Sequence, residues 1–537
     1  MVTLRHSCAV QESLMETPQT PLEFFRRARK VHPHRQAVVD GELRFDYATF
    51  GDRCDRASAA WARLGVGPGD RVGTISPNTH QHLEQFYAVP QLGAVIVPMN
   101  YRLTADDFVY LANHSGCVVL CVHADYLELV DRVRDQMTTV KHFVALEGRA
   151  DGWLIYDDLL AEAPPTFPAA DIAETDLLAI NYTSGTTSKP KGVMITHRNA
   201  WSNSVGVLVH WHMTPADRYL WTLPMFHANG WTFTWTVTAV GATHVCLRKV
   251  EALAIYATIN REEVTHLSAA PTVLIAIANG PEAERKHLRK GVKVVTAGAP
   301  PAPATIERME GELGWHITQV YGLTETAPLI TICEPLPAHD ALTLGQRAQI
   351  KARQGIELIT SGETRVVDEQ MNDVAADGQT MGEIVARGNV VMKGYYNDPE
   401  ATDKAFAGGW FHTGDAAVVH PDGYIEIRDR FKDVIISGGE NISSIEIEGV
   451  LLRHPAVLEV GVVGMPHEKW GESPNAFVVL QPGQQVTAEA LRLFAREHLA
   501  HFKVPTGFHL VHELPKTATG KIQKFLLRAG KAGIAAQ

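Results

Sequence analysis

No apolar run in this 537-residue sequence approaches the length of a helix that could cross a bilayer, so a helical membrane span is not expected. Excess positive charge is missing too: 49 Lys and Arg stand against 60 Asp and Glu, a formal net charge of -11, and no basic stripe runs through the chain. A nucleic-acid partner is therefore disfavoured, because tracking a phosphate backbone needs such a stripe. An anionic ligand must be held by a few local cations. Cysteine is sparse. The six, Cys8, Cys54, Cys117, Cys121, Cys246 and Cys333, show neither zinc spacing nor a secreted framework and read as reduced, mostly buried thiols. A strand through Val118–Leu120 would put Cys117 and Cys121 on one face. Among the 25 histidines, pairs such as His210 and His212 have no third ligand nearby, so no histidine metal site is expected. Met1 to Thr20 lack the basic-then-apolar order of a secretory signal, and Gly533 to Gln537 carry no peroxisomal or retention address. A cytoplasmic enzyme is expected. Internal repeats and low-complexity segments are absent as well.

What is present is an ordinary globular composition, 45% hydrophobic and 20% charged, at a length that suits two or more domains. The most informative stretch is Tyr182-Thr183-Ser184-Gly185-Thr186-Thr187-Ser188-Lys189-Pro190-Lys191-Gly192, set between the apolar runs Leu177–Ile180 and Val193–Ile195. Backbone N–H groups, hydroxyls and two lysines between two strands suit a polyphosphate. The stretch is not a P-loop: counting from Gly185, Pro190 stands where that motif needs its second glycine, and no helix start follows. A generic Ser/Thr/Gly run is usually a surface loop, but the lysines and the strand context favour a triphosphate-binding one.

Thr20-Pro21-Leu22-Glu23 has the capping-box pattern with proline at the first helical position, predicting a helix that ends before His32-Pro33. Helix and strand patterns then alternate over Thr49–Leu64, Arg71–Ser76, His80–Leu92, Val95–Pro98, Ala105–Asn113 and Val118–Val122, and strands recur at Tyr219–Leu223, Thr243–Leu247, His266–Ala269 and Val292–Thr296. Such alternation means crossover connections, hence an α/β fold of mainly parallel sheets flanked by helices. From about Arg430 short strands alternate with two helices, Ser444–Arg453 and Ala488–His498, which marks a second, small α+β domain. The expected division is residues 1–429 and 430–537, with the charged run Arg428-Asp429-Arg430-Phe431-Lys432-Asp433 as an exposed hinge.

Several further motifs follow in order: Pro224-Met225-Phe226-His227-Ala228-Asn229-Gly230, Gly298-Ala299-Pro300, Tyr321-Gly322-Leu323-Thr324-Glu325-Thr326, Gly382-Glu383-Ile384, Phe411-His412-Thr413-Gly414-Asp415, Asp429 to Glu440, and Pro515 to Lys521. Together with the phosphate loop they resemble the adenylate-forming superfamily of acyl-CoA synthetases, adenylation domains and luciferases, over about Pro21 to Lys524. The resemblance implies an enzyme that lets a carboxylate attack the α-phosphate of ATP, releases pyrophosphate, and passes the acyl group to a thiol. It implies that Thr183, Ser184, Gly185, Thr186, Thr187 and Lys191 hold the β- and γ-phosphates; the family often has glycine where this chain has Ser188, and serine enters positive φ at a cost. Thr324 and Glu325 match the pair at the α-phosphate and Mg²⁺, a cation that wants oxygen ligands. Tyr321 and the backbone of Gly298, Ala299 and Pro300 match an adenine site, Asp415 a ribose site with Arg430 near it, and Lys432 the pivot of a mobile C-terminal domain. Gly438 and Gly439 match a loop facing the pantetheine tunnel. Lys521 matches the lysine that offsets charge developing at the α-phosphate, with Lys516 and Lys524 as bystanders.

Amino-acid-activating members carry an aspartate where this chain has His227, so an amino-acid substrate is disfavoured. Trp231, with Phe233 and Trp235, resembles the acyl-tunnel position of medium- and long-chain fatty acyl-CoA synthetases, and that substrate class is the expectation. Trp231 is equally readable as a core anchor. Aryl-CoA ligases and fatty acyl-AMP ligases share the motifs and stay open as alternatives. ATP, Mg²⁺ and coenzyme A are the implied small molecules, and the resemblance is compatible with a homodimer.

Overall fold

A computed structural model of the protein describes residues 16–183, 189–299, 301–438, 440–517 and 522–530. Cys8, Ser184, Gly185, Thr186, Thr187, Ser188, Pro300, Gly439 and Lys521 lie outside the described residues. The first described helix, Pro21–Val31, starts and stops where its signals predict: Thr20 Oγ1 accepts from the Leu22 N–H at 3.3 Å, and Pro21 opens the first turn. Glu23 does not complete the reciprocal box; its carboxylate takes the guanidinium of Arg26 instead.

Among the described residues the strands form four sheets. The largest runs in the order Ile356–Glu357, Leu329–Ile332, His316–Gly322, Lys293–Thr296, His266–Ala269, Arg218–Leu220, Thr243–Cys246, Gln36–Asp40, Leu43–Asp46, and is parallel from His316–Gly322 to Gln36–Asp40. The second runs Gly394–Tyr395, Lys191–Thr196, Leu177–Thr183, Val95–Met99, Arg71–Ile75, Cys117–Val122, His142–Ala145, Leu154–Ile155, with Lys191–Thr196 antiparallel to both its neighbours. Helices such as Tyr47–Arg63 and His80–Ala88 cover these sheets and bury Trp61, Phe86 and Tyr87 in the main core, as crossover connections require. The third sheet, Glu363–Val367, Gly382–Arg387, Phe411–Val419 and Ile425–Arg430, is wholly antiparallel. Sequence reading did not separate it from the parallel pattern.

The smaller C-terminal domain has Gly471–Leu480 at the centre of its sheet, with Val457–His467 and Ile435–Ser437 antiparallel to it and Gly507–Leu510 parallel. The helices Ser444–Leu451 and Ala488–His498 bury Ile447, Leu451, Leu491 and Ala495 on that sheet. A third, Lys524–Arg528, had no counterpart in the sequence reading.

Two expectations are corrected. Register slips by one residue between Arg71↔Cys117 and Val72↔Val119, a bulge that breaks the alternation. Cys117 therefore packs with Leu120 and Val122 in one apolar cluster and Cys121 with Val119 in another, so the two do not share a face. The charged run Arg428 to Asp433 is not uniformly exposed. Phe431 and Lys432 are exposed, whereas Asp429 is 2% exposed and accepts from the Ser444 N–H at 2.9 Å, and Asp433 pairs with Arg528 at 2.8 Å. Arg430 closes the last strand of the third sheet, opposite Asp415.

Candidate active site

Thr183 pairs with Lys191 as the last register step between the antiparallel strands Leu177–Thr183 and Lys191–Thr196, which flank residues 184–188. Both lysines that follow are placed by aromatic rings. The Lys189 ammonium lies 5.0 Å from the ring centre of Tyr110, whose hydroxyl donates to Pro190 O at 3.1 Å. The Lys191 ammonium lies 4.8 Å from the ring centre of Tyr395. An attraction of this kind, worth about 0.5–2 kcal/mol, limits where a flexible lysine carries its charge. Tyr395 is there because Gly394–Tyr395 pairs with Met194 and Val193 one strand over.

The Tyr395 hydroxyl also donates to Glu325 Oε1 at 2.9 Å. Thr324 and Glu325 form a single 3-10 turn, Thr324–Thr326, after the strand His316–Gly322. Gly322 is required just before it: a Cβ there would stand 1.7 Å from the carbonyl oxygen of Pro328. Burial raises the Glu325 carboxyl above its ordinary value, so ionised Glu325 is at a cost that a cation offsets. Among the described residues no group of three or more His, Cys, Asp or Glu could enclose a metal. A divalent ion at Glu325 would thus have at most one further such side chain from the described residues and complete its shell from phosphate oxygens and water. That donor set fits Mg²⁺, which keeps its waters and seldom takes an all-protein cage.

Tyr321 donates its hydroxyl to Asp415 Oδ2 at 2.7 Å, and Arg430 Nε lies 3.3 Å from Asp415 Oδ1. Asp415 is thereby held from both sides, and a carboxylate with about four lone-pair positions keeps acceptor capacity beyond these two contacts. Glu383, seen in sequence only as part of a motif, supports this corner: it accepts from the Gly414 N–H at 2.9 Å and pairs with His412 Nδ1 at 2.8 Å. Gly298 and Ala299 are exposed just past the strand Lys293–Thr296. Thr183, Gly298 and Tyr321 thus all stand at the carboxyl ends of strands, where ligands of α/β folds bind.

His227 is half-buried and precedes a run of left-handed backbone. From Ala228 to Thr232 five consecutive residues have positive φ, 44, 56, 59, 51 and 63°. A left-handed turn costs L-residues about 1–2 kcal/mol each, glycine excepted, and nothing in the sequence announces it beyond the Asn229-Gly230 pair. Trp231 lies in this turn, 4% exposed, in the same apolar cluster as Trp221, Phe233 and Trp235.

In the C-terminal domain Gly438 is exposed at φ 61°, its N–H donating to Trp470 O at 2.9 Å. Lys516 pairs with Glu459, and Lys524 with Glu448 at 2.9 Å beside Ser444 and Asp429. Both neighbours of Lys521 are thus already committed to carboxylates. Tyr395, Glu383 and the left-handed turn are what sequence reasoning missed; the first two lie in stretches whose chemistry needs a distant partner to be recognised.

Residues 24–396 match the AMP-binding enzyme family, and residues 446–521 its C-terminal domain. The chain belongs to the AMP-binding enzyme family. It is an acid–thiol ligase, AMP-forming, and its reaction takes ATP, Mg²⁺ and coenzyme A. This family member is 43% identical to a peroxisomal acetate/butyrate-CoA ligase of Arabidopsis thaliana, covering 95% of this chain and 94% of that one. Among solved structures, an anthranilate-CoA ligase in complex with anthranoyl-AMP superposes with a TM-score of 0.86 at 26% identity, covering 95% of this chain and 97% of that chain. MatB from Rhodopseudomonas palustris, 27% identical and 98% covered by 95% of this chain, gives 0.83 in its ATP-bound form and 0.73 in its apo form. Among the described residues no helix is long and apolar enough to cross a membrane.

Proposed function

We propose that this ligase activates a small carboxylic acid of the acetate–butyrate class as its acyl-adenylate and transfers the acyl group to coenzyme A. The observation behind the substrate class is that Trp231 is 4% exposed in a left-handed turn among Trp221, Phe233 and Trp235; in this reading its indole is the wall that limits the acid. The relative named for acetate and butyrate supports the same reading. The medium- or long-chain substrate expected from the resemblance gives way to it. An aryl acid is the second reading, favoured by the likeness to the anthranilate-CoA ligase.

In this reading a carboxylate oxygen of the acid attacks the α-phosphorus while the bond to pyrophosphate breaks; the coenzyme A sulfur then attacks the carbonyl carbon and AMP leaves. Thr183, Ser184, Gly185, Thr186, Thr187 and Lys191 hold the β- and γ-phosphates. Thr324 and His227 border the reacting carboxylate and α-phosphate, and Glu325 would hold Mg²⁺, which supplies charge neutralisation on the phosphates when bound. Tyr321 with Gly298, Ala299 and Pro300 frames adenine, Asp415 and Arg430 the ribose, and Lys521 the α-phosphate. Residues 430–537 turn about Lys432 to bring Gly438 and Gly439 to the thiol, as the resemblance implies. Cytoplasmic residence belongs to the same reading, although the Arabidopsis relative is named peroxisomal, and cell fractionation tests it.

Pyrophosphate release screened over a library of acids, with and without coenzyme A, tests the proposal. Release with short acids and thioester product by mass spectrometry supports it. Adenylate without thioester would make the protein an acyl-AMP ligase, and release with no acid would end the proposal.

A further inference from the structure

The left-handed turn Ala228 to Thr232 needs an explanation, because glycine is the one residue type that enters this region freely and asparagine enters it at small cost. Ala228, Trp231 and Thr232 do not, and a β-branched threonine there is a true outlier. Gly230 is fixed twice, by its φ of 59° and by the ring of Trp221, which would stand 2.5 Å from an added Cβ. Conformations of this kind persist only where the surroundings over-determine them.

The surroundings here are buried amides. Asn229 and Asn181 exchange two hydrogen bonds, each Nδ2 donating to the other's Oδ1 at 3.0 Å. Thr232 Oγ1 donates to Trp231 O at 2.6 Å and lies 3.2 Å from Asn203 Oδ1, and Asn203 Nδ2 donates to Leu329 O at 2.6 Å. Thr234 Oγ1 donates to the carbonyl of Asn229 at 3.0 Å. Asn181 and Asn229 are each 2% exposed and Asn203 1%. A hydrophobic pair would fill the same space with no amide to satisfy, but would not fix the distance and direction between two backbones as a reciprocal amide pair does. One end of the pair, Asn181, stands on the strand Leu177–Thr183 that leads into the phosphate loop; the other stands two residues before Trp231.

We propose that the Asn181–Asn229 pair is a specificity-setting brace, which holds the left-handed turn and so places the Trp231 indole where it limits the size of the acid. Both are positioning residues that act through Trp231. Removing either amide strands the other in the core, lets the turn relax toward right-handed backbone and withdraws the indole, so that longer acids gain relative to short ones. The proposal rests on Trp231 being the wall of the acid pocket.

The test is kcat/KM for butyrate and octanoate on Asn181→Ala, Asn229→Gly, the double variant and Trp231→Ala, with thermal midpoints beside them. The ratio of the two acids cancels any change in ATP or coenzyme A handling. Asn229→Gly removes the amide without adding backbone strain at its own position, so the turn relaxes only through the strain left in Ala228, Trp231 and Thr232, and this variant carries the test alone if Asn181→Ala does not fold. The octanoate-to-butyrate ratio is expected to rise by about tenfold or more in each single variant, and the double variant is expected to go no further, because the two amides act as one unit. A ratio within about twofold of the parent, whatever the thermal midpoint, makes the pair ordinary core and overturns the brace. If Trp231→Ala moves the ratio and the asparagine variants do not, the brace fails while the wall stands; if none moves it, both fail.

Discussion

At the residue scale the account rests on two charged groups. Lys521 carries the larger share. Removing one preorganised charge from a transition state costs about 2.7–4 kcal/mol, a factor of 10²–10³, so Lys521→Ala is expected to lose that much adenylate formation while thioester formation from supplied acyl-adenylate survives. ATP-dependent adenylation within a few-fold of the parent would remove Lys521 from the site. Its neighbours Lys516 and Lys524 are bound to Glu459 and Glu448, so they are poor substitutes for it. Glu325 is the second group. Glu325→Gln keeps the shape that Tyr395 bonds but removes the negative charge, and the Mg²⁺ concentration for half-maximal adenylation is expected to rise; an unchanged Mg²⁺ dependence would reject Glu325 as the ligand.

At the scale of elements, what was legible in the sequence was what local signals specify. Thr20 and Pro21 start their helix as expected, and His266–Ala269 and Ala488–His498 fall on the residues their patterns mark. What was not legible depended on distant partners. The bulge after Cys117 reflects pairing with Arg71–Ile75, and Asp429 and Asp433 are buried because Ser444 and Arg528 return to them from later helices. Tyr395 meets Lys191 and Glu325 through strand pairing that no window of sequence contains. The left-handed turn is the extreme case, since three of its five residues disfavour the backbone they adopt. The turn around Lys432 carries the conformational prediction: Phe431 and Lys432 are exposed between a strand of the third sheet and one of the C-terminal sheet. Proline would hold φ near -65° there, so Lys432→Pro is expected to leave adenylate formation largely intact and slow transfer to coenzyme A severely. Equal losses in the two half-reactions, measured separately beside the thermal midpoint, would end the hinge assignment.

For the whole molecule, stability follows from how tightly the large domain is filled. His82, His197 and His244 are built into its core as neutral rings: burial pushes His82 and His197 down to about 4 and His244 to about 3, and Trp221 Nε1 donates to His244 Nδ1 at 3.2 Å. Unfolded histidine takes up its proton near 6.5, so these groups give their full stabilisation above that pH and lose it as pH falls toward the folded values. Each costs about 2 kcal/mol by pH 5. The thermal midpoint is expected to drop clearly between pH 7 and 5, and a flat profile would mean that the rings are not sealed. The central claim is a coenzyme A ligase for small acids, which the likeness to a ligase named for acetate and butyrate supports. Competition measures it most directly: acetate, butyrate, benzoate, octanoate and palmitate at equal concentration with ATP, Mg²⁺ and limiting coenzyme A, the thioesters read by mass spectrometry, report relative kcat/KM in one vessel. The account predicts that acetyl- and butyryl-CoA dominate; octanoyl- or palmitoyl-CoA in excess, or adenylates with no thioester at all, would contradict it.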